Sequence, residues 1–220
     1  SLSQKYRPKT FRDIVGQNML VQALGNAVTR GRIAPVYLFH GPRGTGKTSA
    51  AKILAAALNC VSVEDTRPCG VCRECLLLCL GKSGDVKEVD VASHDSTSLM
   101  KKLLMDAVVG PSSGRYKVFI IDECHTLTAE GWNVFLKCLE EPPEHAVFIL
   151  TTTDTEQLPH PASTRCQKFH FPKIKDSDVV SRLQALAAKE NLEVEKDALD
   201  LIAARSGGSL RDAETTLDQL

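Results

Sequence analysis

Short unbroken apolar runs alternate with stripes of helical period as far as Pro172, and beyond it only stripes remain. Val36-Tyr37-Leu38-Phe39, Val118 to Ile121 and Val147 to Leu150 have the length and composition of strands buried on both faces, as in a parallel sheet. Val86, Val89 and Val91 mark a weaker strand, interrupted by Lys87, Glu88 and Asp90, and Phe169 and Phe171 alternate as a last one. Between them, Leu20, Ala23, Leu24, Ala27 and Val28 keep a helical period that Gly31 ends, and Ala50 to Asn59 is a helix without glycine or proline. Ser93 to Ser98 predicts a loop and cap before a helix with Leu99, Leu103 and Leu104 on one face. Thr128 is a fair N-cap for the stripe Trp132, Phe135, Leu136 and Leu139, which Pro142-Pro143 stops.

After Pro172, Asp176 or Ser177 is expected to cap a helix carrying Val179, Leu183, Leu186 and Ala187. A second helix shows Ala198, Leu201 and Ile202; Gly207-Gly208 breaks it. Ser209 and Asp212 then read as a capping pair for a third, with Leu210, Ala213, Leu217 and Leu220 in phase. Strands alternating with helices, then helices alone, predict a parallel α/β domain over 1–172 and a small helical domain over 173–220.

The chemistry sits where apolar runs end. Val36 to Phe39 leads through His40 into Gly41-Pro42-Arg43-Gly44-Thr45-Gly46-Lys47-Thr48-Ser49, the full G-x-x-x-x-G-K-[ST] spacing between a strand and a helix. Glycines there let backbone N–H groups curl around phosphate oxygens, and the helix adds its positive end. Lys47 would reach the β and γ phosphates, and Thr48 would offer its hydroxyl to Mg²⁺. Val118 to Ile121 ends in Asp122-Glu123, which places Asp122 near Mg²⁺ and Glu123 on the attacking water; the competing reading is an ordinary apolar-to-surface transition. Thr151-Thr152-Thr153-Asp154 would emerge at the same sheet edge, although threonine is also simply a good strand former.

Cysteine adds a second expectation. Cys60, Cys69, Cys72 and Cys75 form C-x8-C-x2-C-x2-C, a set that can close a structural tetrahedral zinc site within an insertion of about 60–79. The alternative is a set of uncoordinated thiols, with Cys79 as a substitute ligand or a spare. Cys124 and His125 could ligate a metal, but no second histidine follows at helical spacing, and core or hydrogen-bonding roles are favoured. Lys plus Arg and Asp plus Glu both number 27, so no global basic field announces nucleic acid, and a polyanion contact would have to be local or shared among subunits. The apolar runs are far too short to span a bilayer, and the cysteine usage suits a reducing compartment, so a soluble intracellular protein with no membrane partner is expected. Ser1 at one end and Asp218-Gln219-Leu220 at the other suggest a piece of a longer chain.

Taken together the motifs resemble an AAA+ ATPase of the clamp-loader type, and within it the γ/τ (DnaX) family of bacterial DNA polymerase III. The carrying residues are K-Y-R-P-x-x-F at Lys5 to Phe11, V-G-Q at Val15 to Gln17, G-P-R-G-T-G-K-T-S, the four-cysteine insertion, I-I-D-E-C-H, L-E-E-P-P-E-H at Leu139 to His145, T-T-D, the Thr164-Arg165-Cys166 triplet and G-S-L-R-D-A. The resemblance implies that Tyr6, Arg7, Pro8 and Val15 form part of an adenine pocket. It also implies that Thr153, with Thr152 beside it, is a γ-phosphate sensor, that Arg211 reaches from the lid to its own nucleotide, and that Arg165 is a finger offered to a neighbour's ATP. It further implies a ring with other clamp-loader-like subunits or copies of the same chain, acting on a sliding clamp and primed DNA. Two departures stand out: Thr164 replaces the family's serine, and Ser93 to Lys101 lacks most of the charged residues that bacterial γ/τ chains carry there. The opening, the phosphate loop and the ending are also similar to STICHEL-like plant proteins, which are associated with cell shape and trichome branching. That likeness implies a nucleotide-regulated scaffold in nucleus or cytoplasm.

Overall fold

A computed structural model describes residues 1–62, 67–92 and 95–220. Five parallel strands, β1 (Val36–His40), β2 (Val86–Asp90), β3 (Lys117–Asp122), β4 (Ala146–Thr152) and β5 (Gln167–His170), lie in the order β2-β3-β4-β1-β5. Register pairs Leu38 with Leu150 and Ile120 with Ile149, so the strands end at one edge, where the two acids and the phosphate loop meet.

The central strands read as continuous apolar runs because alternate side chains feed two different cores. Tyr37, Phe39, Val118, Ile120, Val147 and Ile149 face one cluster, completed by α2 (Asn18–Thr29) and the alanine-rich α3 (Lys47–Asn59). Val36, Leu38, Phe119, Ile121, Phe148 and Leu150 face the other, completed by α5 (Ser96–Val108) and α6 (Ala129–Glu140). A short helix adds to each layer: α4 (Arg73–Cys79), packed on α3, and α7 (His160–Arg165), packed on α6. Strand β2 is weak in sequence because it is an edge strand, half-buried only at Val86 and Val89. Its entry is secured by Asp85, which is buried and accepts hydrogen bonds from the backbone and hydroxyls of Ser112 and Ser113 and from Gly114 N. Burial resists its ionisation, yet these donors hold its carboxyl at about 2.

Three helices follow the sheet, α8 (Asp176–Lys189), α9 (Lys196–Ser206) and α10 (Leu210–Asp218), around a third cluster. A short helix at the start of the chain, α1 (Leu2–Lys5), belongs to that same cluster through Leu2 and is not anticipated by the apolar pattern. Phe11 and Ile14, only a few residues on, pack instead on the sheet side.

Several local expectations shift. Thr128 and Ser209 cap α6 and α10, each accepting from a backbone N–H three residues ahead. Neither Asp176 nor Ser177 caps α8, whose first turn begins at Asp176 behind Lys175 with no side-chain cap. In α9 the buried residues are Leu199, Ile202 and Ala203, whereas Leu201 is exposed; Leu220 lies past the end of α10 and is exposed as well. The cap of α5 is Asp95, and Ser93 and His94, where the loop was expected to begin, lie outside the described residues. No helix among the described residues is long and apolar enough to cross a membrane.

Candidate functional site

The turn between β1 and α3 can be made only by residues that accept left-handed backbone. Gly44 and Gly46 have φ of 75° and 101°, and Gly46 stands at the N-terminus of α3. A Cβ on Gly44 would lie 2.0 Å from Ser209 Oγ, and one on Gly41 2.0 Å from the carbonyl oxygen of Phe171. The loop is therefore pressed between the lid and the strand-β5 exit, with a further backbone bond from Leu210 N to Gly44 O at 2.8 Å. Gln17, buried, braces the same place by donating to the carbonyls of Thr45 and Pro172.

Beside this loop lies a cavity of about 440 Å³. Its walls include Arg43 to Ser49 from the loop and helix, Glu123, Thr151 to Thr153, Arg7, Pro8 and Val15 from the N-terminal arm, and Arg211 from α10. Gly41, Pro42 and Asp122 sit behind these walls: the first two through carbonyls that accept from Lys47 Nζ at 2.6 Å each, the third through hydroxyl contacts. Burial draws Lys47 down to about 8, Arg211 adds to that pull, and Glu123 and Asp122 oppose it.

Asp122 Oδ1 accepts from Thr48 Oγ1 at 3.1 Å and from Thr151 Oγ1 at 2.8 Å. Thr151 also accepts from the backbone N–H of Glu123, whose φ of 51° turns its carboxylate out of the strand and into the cavity. Of the three threonines expected at this sheet edge, Thr151 is thus the one bonded to Asp122 and Glu123, whereas the resemblance had singled out Thr153 and Thr152 as phosphate sensors. Thr152 Oγ1 instead meets His125 Nδ1 at 2.9 Å and Asp154 N at 3.1 Å, while Thr153 is exposed on the cavity wall. His125 is accordingly hydrogen-bonded and Cys124 is fully buried in the core.

Two predicted residues lie off the cavity. The Tyr6 ring is turned toward α8, with Lys5 and Lys189 Nζ each 5.3 Å from its centroid, and it does not line the cavity, although Gln4, Arg7 and Pro8 on either side of it do. Arg165, at the end of α7, is exposed and donates to the carbonyl of Leu139 at 3.4 Å.

These residues fit a magnesium nucleotide. The glycine turn leaves no room for a Cβ, a buried ammonium lies at the helix start, and a hydroxyl and a carboxylate offer hard oxygen ligands beside it. The four cysteines form a separate group with all sulfurs within 4.8 Å of one another. A tetrahedral zinc with Zn–S of about 2.3 Å needs sulfurs about 3.8 Å apart, so the cluster is compatible with that ion. Cys60 ends α3 while Cys72 and Cys75 begin α4, and Cys69 Sγ accepts from the N–H groups of Val71 and Cys72. Burial opposes ionisation at Cys72, but backbone hydrogen bonds from Cys75 and Val61 hold its thiol down at about 6.

The family model for DNA polymerase III, delta subunit, matches residues 16–175, and that for the DNA polymerase III clamp loader subunit, ATPase lid domain, matches 178–220. The chain is 54% identical to Protein STICHEL of Arabidopsis thaliana over its whole length, spanning 18% of that protein. It is 42% identical to DNA polymerase III subunit tau of Escherichia coli, with 99% of this chain and 34% of the relative covered. Among solved structures, the RuvB Holliday junction branch migration motor of Thermotoga maritima superposes with a TM-score of 0.71 at 21% identity, covering 97% of this chain and 64% of that one. The chain therefore belongs to the DNA polymerase III clamp-loader family, the delta-subunit model covering its sheet and the ATPase-lid model its last three helices.

Proposed function

We propose that this chain is the nucleotide-binding part of a clamp-loader-like AAA+ ATPase subunit, with an α/β domain over 1–172 and a lid over 173–220. The observation that carries the reading is the convergence of Lys47, Thr48, Glu123 and Arg211 on one cavity at the carboxyl edge of a parallel sheet, with Asp122 bonded to Thr48. ATP supplies a phosphoanhydride that water can split with in-line displacement. Lys47 and the loop N–H groups hold its phosphate oxygens, Thr48 and Asp122 hold magnesium, and Glu123 orients the attacking water. Thr153, or Thr152 beside it, reads the terminal phosphate, and Arg211 ties the lid to it. Arg7, Pro8 and Val15 supply the base-side wall. Zinc at Cys60, Cys69, Cys72 and Cys75 pins α4 to the end of α3 as a structural ion.

Arg165 is exposed and does not line its own cavity, which suits a finger inserted into a neighbouring subunit's site, where a guanidinium would stabilise developing phosphoryl charge. Hydrolysis is therefore assembly-dependent, and the ring of such subunits works on a sliding clamp and primed DNA inside the cell. ATPase rate per subunit should rise with protein concentration or with added partner subunits. Arg165→Ala should remove that rise while sparing nucleotide binding, and Glu123→Gln should abolish turnover in both conditions. A rate indifferent to concentration, partners and Arg165 would overturn assembly dependence.

The higher identity to Protein STICHEL than to the bacterial tau subunit favours a second reading, a nucleotide-regulated scaffold. Under it, partner binding responds to nucleotide and survives Glu123→Gln.

A further inference from the structure

Helix α10 lies lengthwise along the cavity. Leu210 and Arg211 stand at its Gly44 end, Glu214 one turn on, and Asp218 one turn further toward its far end, each turn advancing about 5.4 Å along the helix axis. At that far end the wall is completed by Arg7 and Pro8, from the opposite end of the chain. The side chain that joins these two pieces is Arg182, on α8, which does not itself line the cavity. Its Nη2 donates to the carbonyl oxygen of Tyr6 at 2.6 Å and its Nε donates to Glu214 Oε1 at 3.2 Å.

Both charged side chains are sheltered, 12% exposed for Arg182 and 7% for Glu214. A sheltered ion pair is a poor source of stability, because desolvation offsets much of the attraction, but it fixes geometry strongly. The planar guanidinium presents its donors in a rigid fork, so one side chain sets the spacing between the arm backbone and α10. Packing works in the same direction: Leu2 is buried with Val179, Leu183 and Leu217, whereas Phe11 and Ile14 join the sheet-side core. Leu2, Tyr6 and Val15 of the arm pack on the lid cluster, while Phe11 and Ile14 between them pack on the sheet side.

We propose that Arg182 is a positioning residue for nucleotide binding, holding the base-side wall in register with the helix that carries Arg211. This rests on the nucleotide reading above and extends it to a residue that never touches the ligand. Arg182 does not line the cavity, and α10 keeps its own seat on the loop through Leu210 N and Gly44 O, so loss of Arg182 should displace the arm and be felt by a ligand with a base and sugar rather than by one that is phosphate alone.

The test is calorimetric titration of the intact protein with ATP and, separately, with inorganic tripolyphosphate, both with Mg²⁺. Arg182→Gln should weaken ATP by about tenfold, the scale of one charge-assisted hydrogen bond, and leave tripolyphosphate within about twofold. Arg182→Lys keeps the charge but cannot bridge both acceptors, so it should show the same selective loss; it carries the test if the glutamine variant melts. Unchanged ATP affinity in either folded variant, or equal weakening of both ligands, would overturn the proposal. A wild-type protein that binds neither ligand would instead sink the nucleotide reading itself.

Discussion

Under the proposed nucleotide reading, Lys47 carries two duties that pull in opposite directions. Its ammonium must be charged to hold phosphate, yet it is buried against the carbonyls of Gly41 and Pro42, which brings its pKa down to about 8. Bound polyphosphate would raise that value, so binding and protonation are linked. Below about pH 8 the group is charged with or without ligand and affinity is flat; above it the unliganded protein must take up a proton to bind, and affinity falls by up to tenfold per pH unit. Titration calorimetry with tripolyphosphate between about pH 7 and 9.5 reads this directly, and a flat profile would contradict it. The place of Lys47 at the start of α3 is legible from spacing alone because the glycine turn before it is a local structure. Thr151 is not, since which of three consecutive hydroxyls reaches Asp122 depends on strand register between β3 and β4.

Helices and strands were read best where a single face or a double-sided run is buried. The stripe of α6 and the runs of β1, β3 and β4 are of this kind, because period and burial coincide. Errors fall where packing picks one face among several: in α9, Leu199 and Ala203 are inside and Leu201 outside, although the local pattern favours Leu201 equally well. The seam between loop and lid is equally invisible in the local pattern. Gly44 lies against Ser209, the cap of α10, with room for no more than hydrogen. Gly44→Ala should therefore push α10 outward as well as strain a φ of 75°, so ATP affinity should fall by an order of magnitude or more. The check is ATP titration alongside thermal melting, and an alanine variant with wild-type affinity would show that the lid is not seated on the loop.

The molecule combines a parallel sheet layer, a lid whose core takes in Leu2 from the start of the chain, and a cluster of four cysteines at the end of α3. Metal content gives the clearest test of the last. Purified protein should carry about one zinc per chain, and replacing Cys72 by Ser should lower metal content and melting temperature while leaving ATP binding measurable. Metal-free protein with unchanged melting would show that the sulfurs pack without an ion.

Three things were written locally: the alternation of buried runs and helical stripes, the glycines and lysine of the phosphate loop, and the spacing of four cysteines. Each is set by neighbours within a turn or two of chain, where backbone sterics and side-chain period act directly. Long-range packing alone could assign α1 to the lid, seat Gly44 against Ser209, and bring Arg182 to the carbonyl of Tyr6, 176 positions away. Such contacts leave no periodic trace, because each joins residues far apart in sequence rather than neighbours on one face of a helix or strand.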